Sequence, residues 1–283
     1  MFIIIGSVVV IAGVLIGFMM AGGNPLLLLQ WSEFITIGGA TIGSLLITAP
    51  LSLIKKIIVA IPAAITYKSS HKSDYLELLK AFNDLFLVAQ RDGLIAIEKH
   101  IENPDASDIL SRNKRFINDG VAKSFFCDTM KVMLSGGVPP HEIEALLDTE
   151  IETFEMEQKP VAATLAKTGD ALPGLGIVAA VLGIIVTMGA INDGPEKVGH
   201  HVAAALVGTF LGVLASYGFV GPLATNIEHN LEHAIRDLET IKACIVAYAK
   251  GNPPIIAVEI ARRTIFSDHR PTFQELESYI RGK

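Results

Sequence analysis

Four stretches of the chain carry no Asp, Glu, Lys or Arg: residues 1–32, 34–54, 171–192 and 198–227. Each reaches the ~20 helical residues, at ~1.5 Å apiece, that cross the ~30 Å hydrocarbon core of a bilayer. The pattern predicts four membrane-spanning helices at about 2–22, 34–54, 171–192 and 199–224. Short connections near GGNPLLLLQWSE and NDGPEKVGHH join them in pairs, so the spans form two hairpins.

Between and after the hairpins the pattern becomes amphipathic. Within SDYLELLKAFNDLFLVAQRDG, Leu76, Leu79, Phe82, Leu85 and Phe86 recur at helical spacing, with Ser73 as the predicted N-cap and Gly93 as the stop. LIAIEKHI predicts a second helix, ended at Asn103 before Pro104. Further helices are predicted over 106–117, 119–135 and 140–158. After the fourth span come an amphipathic continuation, a break at Pro253 and Pro254, and a last helix capped by Thr272 and Glu275. No strand alternation stands out. The predicted fold is an all-α integral membrane protein: a transmembrane hairpin (1–54), a large helical cytoplasmic insert (55–168), a second hairpin (169–225) and a helical cytoplasmic C-terminal region (226–283).

The cytoplasmic assignment comes from charge. Of 23 Lys and Arg, 22 lie in 55–167 and 226–283, and the connections within the hairpins hold only Lys197. The positive-inside rule puts both basic blocks, and both termini, on the cytoplasmic side. Trp31 suits an interfacial anchor at the first outer turn. The first span lacks a basic n-region and has a long apolar stretch, so it reads as a retained anchor and not a cleaved signal.

Composition agrees and removes some functions. Of 283 residues, 51% are hydrophobic and 18% charged, with a mean hydropathy of +0.48, a membrane protein's balance. The net charge of −6 and the lack of a basic cluster with interleaved aromatics argue against a nucleic-acid partner; lipids are the expected surroundings. Cys127 and Cys244, the only cysteines, predict reduced thiols and neither a disulfide framework nor a metal site. No cofactor is called for.

Small residues punctuate the spans: Gly13 and Gly17, Gly39 and Gly43, Ala179 and Gly183, then Ala204, Gly208, Gly212 and Ser216 at every fourth position. Helices in lipid gain little by burying apolar surface on one another, so small faces that admit close backbone approach are what packs them. Ionisable side chains are missing at depth, with Glu33, Asp170, His200 and His201 placed at the span edges. A proton relay needs a titrating group in the membrane. Three readings stay open: a passive anchor, a site for an apolar substrate, or a pathway whose carboxylate belongs to another chain. Thr41, Thr48, Thr187 and Thr209 offer hydroxyls, which back-bonding to their own helices would also satisfy. Pro173 suits a first helical turn, whereas Pro222 falls where span 4 continues into TNIEHNLEHAIRDLE and frees a carbonyl there.

TGDALPGLGIVAAVLG on span 3, ALVGTFLGVLASYGFVGPLA on span 4, EIEALLDTEIE before span 3 and NPPIIAVEIARRTIFSDHRPTFQELE at the end carry a resemblance. Together they resemble the MotA family of flagellar motor stator proteins, in its longer, proton-driven branch, over essentially the whole chain. The resemblance implies a homopentamer around two copies of MotB, which supply the membrane Asp and a peptidoglycan anchor. It implies an inner-membrane, proton-conducting complex that turns against the rotor switch protein FliG, and not an enzyme. A TolQ or ExbB type of channel subunit is the related alternative, disfavoured because those relatives have three spans; a non-conducting scaffold is the other.

The resemblance also assigns residues. Pro173 and Pro222 match the family's two prolines at the inner mouth, and Thr209 its span 4 threonine. Ala180 stands where sodium-driven relatives carry a threonine, which removes an oxygen and favours protons. Gly174, Gly176, Gly208 and Gly212 would leave room for the partner helix. The rotor-facing motif gives Glu98, with Gln90 at the matched Arg position and Arg91 beside it, about 100° round the helix. Glu150, with Asp148, Glu152 and Glu155, is a further rotor-facing candidate.

Overall fold

The computed structural model describes residues 2–67, 69–189 and 191–282; Ala190, inside the expected third span, lies outside the described residues, as does the side chain of Asp193 in the following connection. Every regular element among the described residues is helical. The helices are α1 (Phe2–Met20), α2 (Trp31–Thr48), α3 (Leu51–Thr66), α4 (Lys72–Asp92), α5 (Glu98–Glu102), α6 (Lys114–Asn118), α7 (Gly120–Ser135), α8 (Pro140–Gly189), α9 (Pro195–Ala215), α10 (Gly221–Ala249), α11 (Pro254–Arg262) and α12 (Phe273–Arg281). Four of them, α1, α2, α8 and α9 with its continuation, are long and apolar enough to cross a membrane.

Two compact units form: residues 1–67 with 158–230, and 68–157 with 231–283. The first gathers the spans. It also takes α3 and the stretch 158–168, which the sequence groups with the insert. Ile57 of α3 packs with Val161, Leu165 and Ala224, so the apolar face of α3 has a partner among the spans. Pro50 explains why α2 stops at Thr48, short of the expected residue 54: the residue before a proline is pushed out of the α region, and Ala49 is extended.

The second unit is built on aromatic rings. Phe82 stacks on Phe126 at 4.2 Å and Phe86 on Tyr248 at 4.1 Å, while Phe116 meets both Phe82 and Phe126 edge-on. Leu79, Phe82, Leu85 and Phe86 are fully buried, as their helical spacing predicts. The start of α4 differs: His71 and not Ser73 is the N-cap, and the His71 N–H donates to Asp74 at 2.8 Å. The Thr272–Glu275 capping box forms as predicted. Asp237 of α10 accepts from Tyr75 Oη at 2.5 Å and Ser70 Oγ at 2.8 Å. Burial pushes the Asp237 carboxyl up, and those two hydrogen bonds pull it down. Both cysteines are free and buried, and burial raises both thiols, that of Cys127 to about 11.

Two helices run through predicted boundaries. The sequence splits 140–158 from span 3, but α8 is one helix of 50 residues that runs through Pro160 and Gly169, although both residue types disfavour helix. Pro173 is therefore not a first-turn proline. It lies inside α8, where its missing N–H leaves the carbonyl of Gly169 without its helical donor; Pro160 does the same for Met156. In span 4, the residues ahead of Pro222 leave α geometry: Ser216–Val220 form a π turn, and the Gly221 N–H donates to Ser216 O, five residues back. A wider turn is a known way to fit a proline ring and its absent donor into a continuing helix.

Candidate functional site

The membrane unit's central feature is the seam between α8 and α9. A Cβ on Gly176 would stand 2.8 Å from Gly208 O and 3.1 Å from Gly212 Cα, and one on Gly183 2.8 Å from Ala205 Cβ. The helices touch backbone to backbone, as small faces permit. Gly176, Gly208 and Gly212 thus line a contact within the chain, whereas the sequence reading has them leave room for a partner helix. Gly174 differs: a side chain there would meet nothing within 4 Å.

Along this seam the predicted pathway residues come together. Thr209 Cα lies 3.3 Å from the Cβ position of Gly176, and the Ala180 N lies 3.3 Å from that of Gly208. Further along, the two proline irregularities adjoin: a Cβ on Gly169, whose carbonyl Pro173 deprives of a donor, would stand 3.2 Å from Val220 Cγ1 and 3.5 Å from Gly221 N, immediately before Pro222. Backbone freed from helical bonding is tolerated at membrane depth only where protein or a cavity surrounds it. The other threonines are accounted for by their own helices: Thr41 donates to Ile37 O, Thr48 to Ser44 O and Thr187 to Gly183 O, each at 2.7–2.8 Å.

Glu33 stands in the first turn of α2, at the span edge where the sequence places it, but its setting there was not foreseen. It is 5% exposed in the structure. Its Oε2 fills the space that a Cβ on Gly208 would take, beside Ala179 and Ala180, and has no hydrogen-bond partner. Its Oε1 accepts from Ser32 Oγ at 3.4 Å. The signal available in the sequence was Gly208 itself, a glycine whose small size serves a carboxyl as well as a helix.

The second candidate surface lies on the other unit, around the Gly93 turn, whose φ of 89° suits glycine. Gln90, Arg91 and Glu98 are all exposed. Arg91 pairs with its neighbour Asp92, Nη2 to Oδ2 at 2.9 Å, and not with Glu98, which opens α5. Glu150 is exposed on α8; partial burial and the charge of Asp128 push its carboxyl up. Its neighbours are braced: Asp148 pairs with Lys242, and Glu144 with Lys250 at 2.8 Å. Among the described residues no cluster of His, Cys, Asp and Glu suited to a metal is found.

Residues 4–93 match the family model for the N-terminal part of motility protein A, and 114–240 that of the MotA/TolQ/ExbB proton channel family. Motility protein A of Salmonella typhimurium is 38% identical over 282 residues, covering 100% of this chain and 96% of that one; that of Escherichia coli is 37% identical with the same coverage. This chain belongs to the motility protein A family. Chemotaxis protein LafT of Vibrio parahaemolyticus is 36% identical over 98% of this chain and 97% of its own. The fold matches that of C. jejuni MotAB, with a TM-score of 0.78, 21% identity, and 95% of this chain and 98% of that chain covered. It also matches the flagellar MotAB stator complex of Bacillus subtilis, with a TM-score of 0.73, 23% identity and 97% of each chain. Membership in the motility protein A family makes this chain a motility protein of the proton channel type, as the sequence resemblance implied.

Proposed function

We infer that the chain is the membrane stator subunit of a flagellar motor, working with a MotB-type partner to couple proton flow to torque. The observation that carries this reading is the pairing of two proline-bearing helices at Gly169 and Val220–Gly221, beside a seam where Gly174 stands open. The partner helix sits at that open position and brings its carboxylate to Thr209 and Ala180. Five copies surround two partner chains in the inner membrane, with the termini and the helical unit in the cytoplasm. Gln90, Arg91, Glu98 and Glu150 meet the rotor protein FliG. The work is ion transport and force generation and not catalysis on a substrate.

Protons and not sodium are the coupling ion: Ala180 brings no side-chain oxygen, and sodium needs several oxygens to replace its water. The test is to co-express the chain with its partner and replace Pro173 by Ala, which restores an N–H to α8 and so leaves the helix intact. Lost proton flux and motility are expected; unchanged flux and motility defeat the channel reading. Swimming that depends absolutely on external sodium overturns the ion assignment.

A further inference from the structure

The pathway as read so far borrows its only titrating group from another chain, yet the membrane unit holds one of its own. Glu33 stands in the first turn of α2, buried, with Oε2 unpartnered and set against Gly208 of α9 and the Ala179–Ala180 backbone of α8. Residues 171–192 and 198–215 of the facing helices carry no Asp, Glu, Lys or Arg, and His200 and His201 lie about two turns from Gly208 toward the start of α9. Lys197, the one Lys or Arg of α9, lies about three turns from Gly208, and among the described residues no Lys or Arg is found against the carboxyl. A buried, unpaired carboxylate is neutralised by a proton or a cation drawn from solution. The surroundings offer Ser32 Oγ and no cage of oxygens, so the species is the proton.

Ala180 and the Gly176–Thr209 crossing belong to the same seam, so Glu33 borders the place where the partner's carboxylate is expected. An ionisable side chain in a membrane span that faces the protein interior marks an ion path more often than a fastening. We propose that Glu33 is a proton-relay carboxyl that this chain itself contributes to the pathway, in series with the partner's acid. The proposal rests on the proton-conducting reading above. Oε2 takes a proton from water entering on the side where α2 begins, forming an O–H bond. It then gives that proton to the next acceptor along the seam and returns to carboxylate, so nothing is consumed. Gly208 is the positioning residue, because any side chain there would take the space of the carboxyl.

The experiment uses the full chain co-expressed with its partner, in swimming cells and in vesicles carrying the purified complex. Glu33→Gln keeps the shape and removes the titration; Glu33→Asp keeps the acid. Expected is a several-fold fall in proton flux and swimming speed for Glu33→Gln, steepest at alkaline external pH where proton capture limits, with normal yield of the complex. Glu33→Asp retains most of the flux. Native flux and speed in Glu33→Gln at every external pH overturn the relay. So does a loss shared by both variants that only tracks a lower yield of complex, which marks Glu33 as a packing residue. Native complex that passes no protons in the same vesicles defeats the channel reading itself, and the relay with it.

Discussion

Gly176 and Gly212 exclude each other's side chains: a Cβ on Gly176 would stand 3.1 Å from Gly212 Cα, and one on Gly212 2.9 Å from Gly176 Cα. Two spans are held at the distance of two backbones. Dispersion contacts and weak Cα–H···O contacts replace the hydrophobic drive that lipid removes. Everything attributed to the seam, from the approach of Thr209 to the setting of Glu33, depends on that spacing.

Valine at 176 or 212 should therefore force the helices apart, at a cost of about 1–3 kcal/mol for overpacking. Alanine at 174 should leave the chain's own packing unchanged, since nothing stands within 4 Å of a Cβ there. Thermal unfolding of the purified chain in detergent checks both. If Gly174→Ala also keeps its fold but no longer retains the partner on co-purification, the open position is the partner's seat; retention by Gly174→Val would remove that assignment.

Charge reversal at Glu98 should impair torque with membrane insertion and folding intact. The residue is exposed at the first turn of a five-residue helix, and surface changes of this kind usually alter stability by no more than about 0.5 kcal/mol. Arg91→Ala should cost still less in stability, because its partner Asp92 is a surface neighbour. Tethered-cell rotation at high load is the measurement. Equal torque in Glu98→Lys would move the rotor contact elsewhere, with Glu150 next in line.

The sequence disclosed the elements better than their relations. Four uncharged runs and the spacing of Leu79, Phe82, Leu85 and Phe86 were enough for the spans and for the aromatic core, because each rests on local periodicity. The unbroken course of α8 was not legible: a charged, proline-bearing stretch reads as a boundary, and only packing shows that Pro160 and Pro173 sit inside one helix. The seam glycines were visible as a ridge, but a ridge does not say which helix it meets. The burial of Glu33 was hidden for a similar reason: its place in the first turn of α2 does not say that its carboxyl meets Gly208, well inside α9.

Acid should loosen the C-terminal helix before the core. The Thr272 backbone N–H, donating at 2.6 Å, and then Lys72 at 3.0 Å hold the Glu275 carboxyl down at about 2, from 4.5. A carboxyl lowered on folding contributes stability above its unfolded value, and that contribution is lost as pH falls from about 4.5 toward 2. Amide exchange across 273–281 should rise over that window in the native chain. In Glu275→Gln it should already be raised at neutral pH and change little with acid. Matching profiles for the two would show that the cap does not govern the helix end.

Pro222 makes the last and most geometric prediction. Restoring an N–H at 222 offers Gly218 O a donor and lets Ser216–Val220 contract from π to α, which removes one residue's worth of rotation, about 100°. The chain beyond Gly221 must then turn against α8, and the contact between Gly169 and Val220 is the first to go. In the native chain a Cβ on Gly169 lies 3.5 Å from Val220 Cβ, at the short end of the ~3.5–4.5 Å that a disulfide spans. Cysteines at 169 and 220 should accordingly cross-link on oxidation, and do so poorly once Pro222→Ala is added. Undiminished cross-linking in the triple variant would mean that the π turn is held by the packing of α8 on α9, with the proline only tolerated there.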